Sequence, residues 1–419
     1  MNTRVMSDGG TGRLEYEPGL TAQSVPSTPI LRLFISTGEV SGDLQGALLI
    51  ESLKRQAAAI DLQLEIVALG GEQMAAAGAK LLGSTSAIGA IGIFEALPFV
   101  LPTLQLQRRA KQYLRQNPPD LIVLIDYLGP NLTLGRYLHQ HFPQIPLIYY
   151  IAPQEWVWAL NAKNTNLIVK ITHRLLAIFP EEARYYCDKG ARVSWVGHPL
   201  LDHMKHAPQR HQARQQLGIG ADERVIALLP ASRRQELKYL MPAMFEAAQR
   251  IQAQLPDVRF WVPLSLERYR AAVEQEIRRW GLNATIVSGQ TQAIIAAADL
   301  AMTKSGTVNL EIALMDVPQV VMYRVSPLTY WVGKNIIRFS IPFMSPPNLV
   351  EMKPIVPEFL QHQVTPENVS DAAIDLLTNP QKRQAMLAGY QSMRQALGEP
   401  GVCDRAAREI LSIRQTPQS

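Results

Sequence analysis

Cysteine is nearly absent: Cys187 and Cys403 are the only two in 419 residues, too few for a disulfide framework and in keeping with a reducing compartment. Charge is sparse too, at 18% of residues against 47% hydrophobic, which excludes a disordered or tail-like chain. The 41 Lys and Arg outnumber the 36 Asp and Glu without forming a dense basic stripe, so no nucleic acid is expected as a partner. The weak positive bias instead suits an anionic small molecule or membrane surface. No run approaches the roughly 18–20 uninterrupted apolar residues of a transmembrane helix. The nearest, Ala87–Leu104, is interrupted by Glu95, Pro98 and Pro102. Residues 1–30 lack the basic start and apolar core of a secretory signal and read as a flexible polar leader. His203, His206 and His211 stand in a polar stretch with no Cys or carboxylate at metal-site spacing, so neither a metal nor a cofactor is expected. Ser305 lacks the GxSxG elbow of a serine hydrolase.

What is present is an alternation of short β-branched apolar runs with longer helical patterns, the mark of an α/β chain with parallel sheets. Strands are expected at residues 31–36, 64–69, 121–125, 146–151, 174–179 and 192–197, and again at 224–230, 259–265, 284–289, 300–306 and 318–325. Two doubly wound domains follow, separated by the histidine-rich polar segment 198–218. The expected division is a leader over 1–30, a first domain over 31–200, a second over 201–390 and a helical tail over 391–419. In such an arrangement a ligand sits in the cleft between the domains, at the carboxyl ends of the strands.

Four turns fall at those ends. STGEVSGDLQG carries Gly38, Gly42 and Gly46 where a strand enters a helix, which lets backbone approach a ligand. Its GxxxGxxxG spacing is not the GxGxxG of a dinucleotide site, so a nicotinamide cofactor is disfavoured, and a structural turn is the other reading. Asp126 directly follows the apolar run LIVLI, where a carboxylate serves either as general base or as a helix cap. Ser232, Arg233, Arg234 and Glu236 form a turn suited to a diphosphate. Lys304, Ser305, Gly306 and Thr307 form another, with Glu311 one helical turn on to accept ribose hydroxyls. Ordinary capped turns would look the same. Trp156, Trp158 and Cys187 read as packing residues.

In order along the chain stand STGEVSGDLQGALL, GGEQMAAAG, IGIFEAL, IDYLGPN, YYIAPQEWVW, FPEEARYY, VGHPL, LLPASRRQE, SGTVNLE, VVMYRVSPLTYW and SPPNL. Together they resemble the lipid-A-disaccharide synthase family over roughly residues 31–400. That family comprises inverting, metal-independent glycosyltransferases of the B fold, with two Rossmann-like domains and an interdomain cleft. The resemblance implies transfer of 2,3-diacylglucosamine from its UDP donor to the 6-hydroxyl of 2,3-diacylglucosamine 1-phosphate, giving a β(1→6) disaccharide and UDP. By motif it implies catalytic roles for Asp126, Glu39 and Asn348, and a glycine loop of Gly38, Ser41 and Gly42. It assigns donor binding to Arg233, Glu236, Lys304, Ser305, Gly306, Thr307, Glu311 and Tyr323, the last followed by Arg324.

Acylated substrates give the 87–104 run a task. Ile93, Phe94, Leu97, Phe99, Val100 and Leu101, backed by Arg108, Arg109, Lys111 and Arg115, form an expected acyl or membrane patch; a buried helix is the other reading. The implied location is cytoplasmic, peripherally bound to the inner membrane, with a homodimer possible in the family. Tyr149, Gly129, Ala159 and Ala231 depart from the usual family motifs, mostly on the acceptor side. A B-fold transferase with another lipid acceptor, and an isomerase like the UDP-N-acetylglucosamine 2-epimerases, are the alternatives.

Overall fold

The computed structural model describes residues 29–85, 93–158, 162–230, 234–264, 266–335 and 342–413, and the side chains of residues 39–40, 93–99, 158, 234–235 and 333–335 fall outside that description. The expected leader lies almost wholly outside it. Strands β1 (Ile30–Ser36), β2 (Gln63–Gly70), β3 (Lys80–Ser84), β4 (Leu121–Ile125), β5 (Leu147–Tyr150), β6 (Arg174–Ala177) and β7 (Val193–Trp195) form the first sheet. Its order is β3-β2-β1-β4-β5-β6-β7, with every pairing parallel. The second sheet contains β8 (Arg224–Leu229), β9 (Val258–Leu264), β10 (Ala284–Ser288), β11 (Leu300–Lys304), β12 (Gln319–Tyr323) and β13 (Glu358–Leu360), ordered β10-β9-β8-β11-β12-β13 and again parallel. Both are doubly wound, so the strand order reverses beside β1 and β4 in one and β8 and β11 in the other. Those switch points are where such sheets open a crevice.

Strands covered on both faces must be apolar throughout, and all five residues of β4 are buried. The helix Glu39–Ala58 turns Leu49, Ile50, Leu53 and Ala57 onto the sheet, a helical stripe at one face. Two strands escape the sequence reading. β3 (KLLGS) contains a glycine and no β-branched residue, and β13 (EFL) spans three residues at an edge, so neither has a pattern long enough to register.

The 87–104 run enters a helix, Ile93–Gln116, with Pro98 and Pro102 inside it. Gln107, Ala110 and Leu114 are buried on its inner side, whereas Val100, Leu101 and Leu104 are exposed. Residues 86–92 and the side chains of Ile93, Phe94, Leu97 and Phe99 lie outside the described set.

The chain crosses between the sheets twice. The boundary expected at 390/391 falls inside the helix Pro380–Leu397, and the chain leaves the second domain only after Leu397. The last helix, Val402–Ile413, then packs on the first domain. Arg55 bonds Asp404 at 2.9 Å, Ser194 Oγ donates to Glu409, and the Arg405 guanidinium donates to the Val196 carbonyl. The two crossings touch, since His198 N–H donates to Leu397 O at 2.8 Å. Asp202 accepts from the backbone N–H groups of Gly401 and Cys403, so the first crossing caps the helix that follows the second.

Gly197 has φ +88°, and a Cβ there would lie 3.0 Å from Leu397 O. Gly197→Ala is therefore expected to lower stability by about 1–3 kcal/mol, from left-handed strain plus displacement of the second crossing. Denaturant melts of the two proteins check this, and equal midpoints would refute it.

Candidate active site

Where β1 and β4 end, side chains replace the backbone ladder. Asn131 is buried, and its amide donates to the carbonyls of Ser36, Ile125 and Asp126 while its Oδ1 accepts from Ser36 Oγ at 2.7 Å. One side chain thus ties the two switch-point strands together. Tyr149, on β5, adds its hydroxyl to the Asp126 carbonyl at 3.0 Å. These bonds hold Asp126 and Tyr127 in consecutive left-handed conformations, φ +45° and +58°, a strained arrangement for residues with side chains. The Asp126 side chain is thereby delivered, exposed, to the end of the strand. Gly38 is required opposite it, because a Cβ there would sit 2.3 Å from the Tyr127 ring. Glu39 opens the helix that follows; its side chain lies outside the described residues.

In the second domain, Lys304 at the end of β11 pairs with Glu236 at 3.3 Å, and both side chains are largely buried. The turn after Lys304 is held internally. Asn309, fully buried, accepts from Gly306 N–H and donates to the Lys304 carbonyl, and Ser305 Oγ donates to Met344 O. Burial pushes the Glu311 carboxyl above its usual range, opposed by a bond from Gln292. Gln292 in turn contacts His203 Nε2 at 3.1 Å. Tyr323 is half-buried at the end of β12. Arg324 spends its guanidinium on the carbonyls of Tyr239, Gln361 and Val364. Ser232 and Arg233 lie outside the described residues, as does the side chain of Arg234.

Asn348 lies on the short helix Pro346–Glu351, ahead of β13. It is completely buried, with Nδ2 donating to Val356 O and Glu358 and Oδ1 accepting from Ile355 and Val356 N–H. In this arrangement both ends of its amide are spent on holding the segment that leads into β13.

The two halves meet. Ser41, Gly42 and Asp126 from the first domain and Thr307 from the second line one cavity of about 110 Å³, closed on the second-domain side by Leu310 and Pro346. Lys304, Glu236, Glu311, Tyr323 and Asn348 are not among its lining residues. Gln45, Gln154 and His198 are, and sequence reasoning missed them. Gln45 reads as one more helical residue, and His198 as part of a polar linker. His198 is nearly fully buried, packed 5.3 Å from the Phe179 ring, and its Nδ1 accepts from Leu200 N–H. Beneath the cavity Glu182 is completely buried. Three backbone N–H groups, of Ala152, Ile178 and Phe179, point at its carboxyl, which burial nevertheless pushes up to about 8.

On the outer helix, Arg108 and Arg109 are exposed beside Leu101 and Leu104. Lys111 and Arg115 are drawn aside to Tyr137, Lys111 over its ring at 4.7 Å and Arg115 donating to its hydroxyl. No helix among the described residues is long and apolar enough to cross a membrane.

The family model for lipid-A-disaccharide synthetase matches residues 33–412. The lipid-A-disaccharide synthase of Gloeothece citriformis is 60% identical over 381 residues, covering 91% of this chain and 99% of the relative. That of Synechocystis sp. is 53% identical, covering 91% and 98%. Among solved structures, the UDP-GlcNAc 2-epimerase from Neisseria meningitidis bound to UDP-GlcNAc superposes with a TM-score of 0.59 at 11% identity, covering 91% of this chain and 100% of that one. The glycotransferase of kitacinnamycin gives 0.60 at 16%, covering 94% and 100%. At those identities the likeness speaks to the fold alone.

Burial pushes the His198 imidazole from the ordinary 6.5 down to about 3. A depressed histidine contributes stability that is fully present above its unfolded value and is lost as pH falls toward the folded one. The gap in melting temperature between wild type and His198→Gln is therefore expected to shrink from about pH 7.5 to about pH 4. A gap independent of pH in thermal melts would mean that the imidazole does not titrate in this window.

Proposed function

The chain belongs to the lipid-A-disaccharide synthetase family, and we propose that its glycosyl transfer joins 2,3-diacylglucosamine, delivered as the UDP derivative, to the 6-hydroxyl of 2,3-diacylglucosamine 1-phosphate. It is a hexosyltransferase that uses a UDP-sugar donor and makes the lipid-A disaccharide. The observation that carries the finer reading is the cavity shared by Asp126 and Thr307, which brings a carboxylate of one domain to the glycine turn of the other. The acceptor hydroxyl attacks the anomeric carbon, a new C–O bond forms, and the bond to the UDP phosphate breaks. The hydroxyl proton passes to Asp126, which Asn131 and Tyr149 hold at the strand end. Glu39, whose position opens the neighbouring helix, is the other carboxylate in the running.

Charge gathers on the leaving UDP and must be met by fixed cations and donors. Lys304 is oriented by Glu236, and Arg233 joins it in this reading. Ser305, Gly306 and Thr307 line the approach to the diphosphate, while Glu311 and Tyr323 receive the nucleoside. Asn348 acts through Glu358 and the segment it anchors. An epimerase shares this architecture, but the likeness to epimerases is of fold, whereas relatives at 60% and 53% identity carry the disaccharide synthase name.

The apolar edge of the helix Ile93–Gln116 fits a peripheral contact with an anionic bilayer on the cytoplasmic side, where acylated substrates reside. Leu101, 70% exposed, and Leu104 enter the acyl boundary, with Arg108 and Arg109 at headgroup level.

Two outcomes are expected. Asp126→Asn leaves UDP affinity near wild type in calorimetric titration and lowers disaccharide formation, followed by mass spectrometry, by about 100-fold or more. Undiminished turnover would remove Asp126 as the base. Leu101→Ser with Leu104→Ser weakens co-sedimentation with anionic vesicles about tenfold while sparing turnover of short-chain substrates. Unchanged vesicle binding would place the membrane contact elsewhere.

A further inference from the structure

Gln45 lies on the helix Glu39–Ala58, just past Gly42, and lines the same cavity as Asp126 and His198. It is only 6% exposed, yet no described protein group bonds its side chain, and its Oε1 is buried without a partner. An unpaired amide in such a place costs stability that an apolar side chain of the same shape would not. Its neighbours show how readily this site satisfies its polar groups. Asp43 accepts three backbone N–H bonds, Glu182 three, and Asn131 uses both ends of its amide. Gln45 alone among these is left open, and it is the one that borders the cavity.

The chemistry of the surroundings narrows the ligand. Because His198 Nδ1 accepts from Leu200, its proton sits on Nε2, making it a donor only. Asp126 is reserved for a hydroxyl. A group that offers an N–H would match the unpaired acceptor, the Gln45 Oε1. We infer that Gln45 is a specificity-determining residue that pairs with the acylamido group of the acceptor glucosamine, beside the hydroxyl that Asp126 activates. Gln45 and Asp126 come from the same domain, which places the contact on the acceptor side. The inference rests on the transfer reaction proposed above.

The test uses the full chain with Gln45→Met and, as a second apolar replacement, Gln45→Leu. Acceptor kinetics are measured at saturating donor, alongside UDP titration and thermal melts. Both variants are expected to raise the acceptor KM roughly tenfold, the size of one lost hydrogen bond. Turnover number should stay within about twofold and UDP affinity should not change, while the melting temperature equals or exceeds wild type because a buried unpaired group has gone. An acceptor analogue with an ester in place of the 2-amide should cost wild type the same factor and cost the variants nothing further. An unchanged acceptor KM in an active enzyme would overturn the inference, with a raised melting temperature indicating that Gln45 binds only a water and a lowered one indicating a packing role. Equal losses on amide and ester acceptors would overturn the acylamido assignment. A wild-type chain that forms no disaccharide would overturn the transfer reading and, with it, this one.

Discussion

Parallel strands run out of backbone partners at their carboxyl ends, and at the switch points of these two sheets the next strand leads away from the crevice. Every polar group exposed there must be satisfied by a side chain or offered to a ligand. That constraint organises the site. Asn131 bridges the ends of β1 and β4, Asn309 folds the turn after β11 onto itself, and Asn348 anchors the approach to β13. Asparagine suits this work because one short side chain carries donors and an acceptor at once. Gln45, whose Oε1 has no partner among the described residues, lines the cavity together with Asp126.

The same logic separates residues that meet substrate from residues that shape what meets it. Tyr149, one of the positions that depart from the motifs the chain resembles, supports the carbonyl of Asp126 with its hydroxyl. The departure therefore bears on the geometry of the carboxylate. Lys304 is restrained by Glu236, which fixes where its charge lies at the carboxyl end of β11. Pairing costs some of the attraction a free lysine would exert, and in return the ammonium is pre-placed.

Much of the fold was legible because strands buried on both faces must be continuously apolar, as β4 is and as β8 is after Arg224. Asp126 directly follows such a run, and Ser41, Gly42 and Thr307 stand within six residues of one, at the strand ends where doubly wound sheets bind. Gln45 and His198 were not, since nothing local distinguishes a cavity-lining glutamine from a surface one, or a buried histidine from its polar neighbours in 198–218. Asn348 was located by its motif, but its partners in the fold were not legible. That its amide is spent on Val356, Ile355 and Glu358 is a tertiary fact. β3 and β13 were too short to show a period, and the return of the last helix to the first domain leaves no trace in any local pattern.

That return has a consequence for how the molecule is made. Arg55 and Asp404 are 349 positions apart, and the helix bearing Asp404 covers the first sheet's own opening helix. A ribosome can release the first seven strands early, but the layer that completes their cover is synthesised last. The nascent first domain therefore waits, with part of its apolar surface open, through the making of the entire second domain. Its maturation is a late, cooperative event, and chains truncated near the carboxyl end are expected substrates for chaperones rather than half-active enzymes.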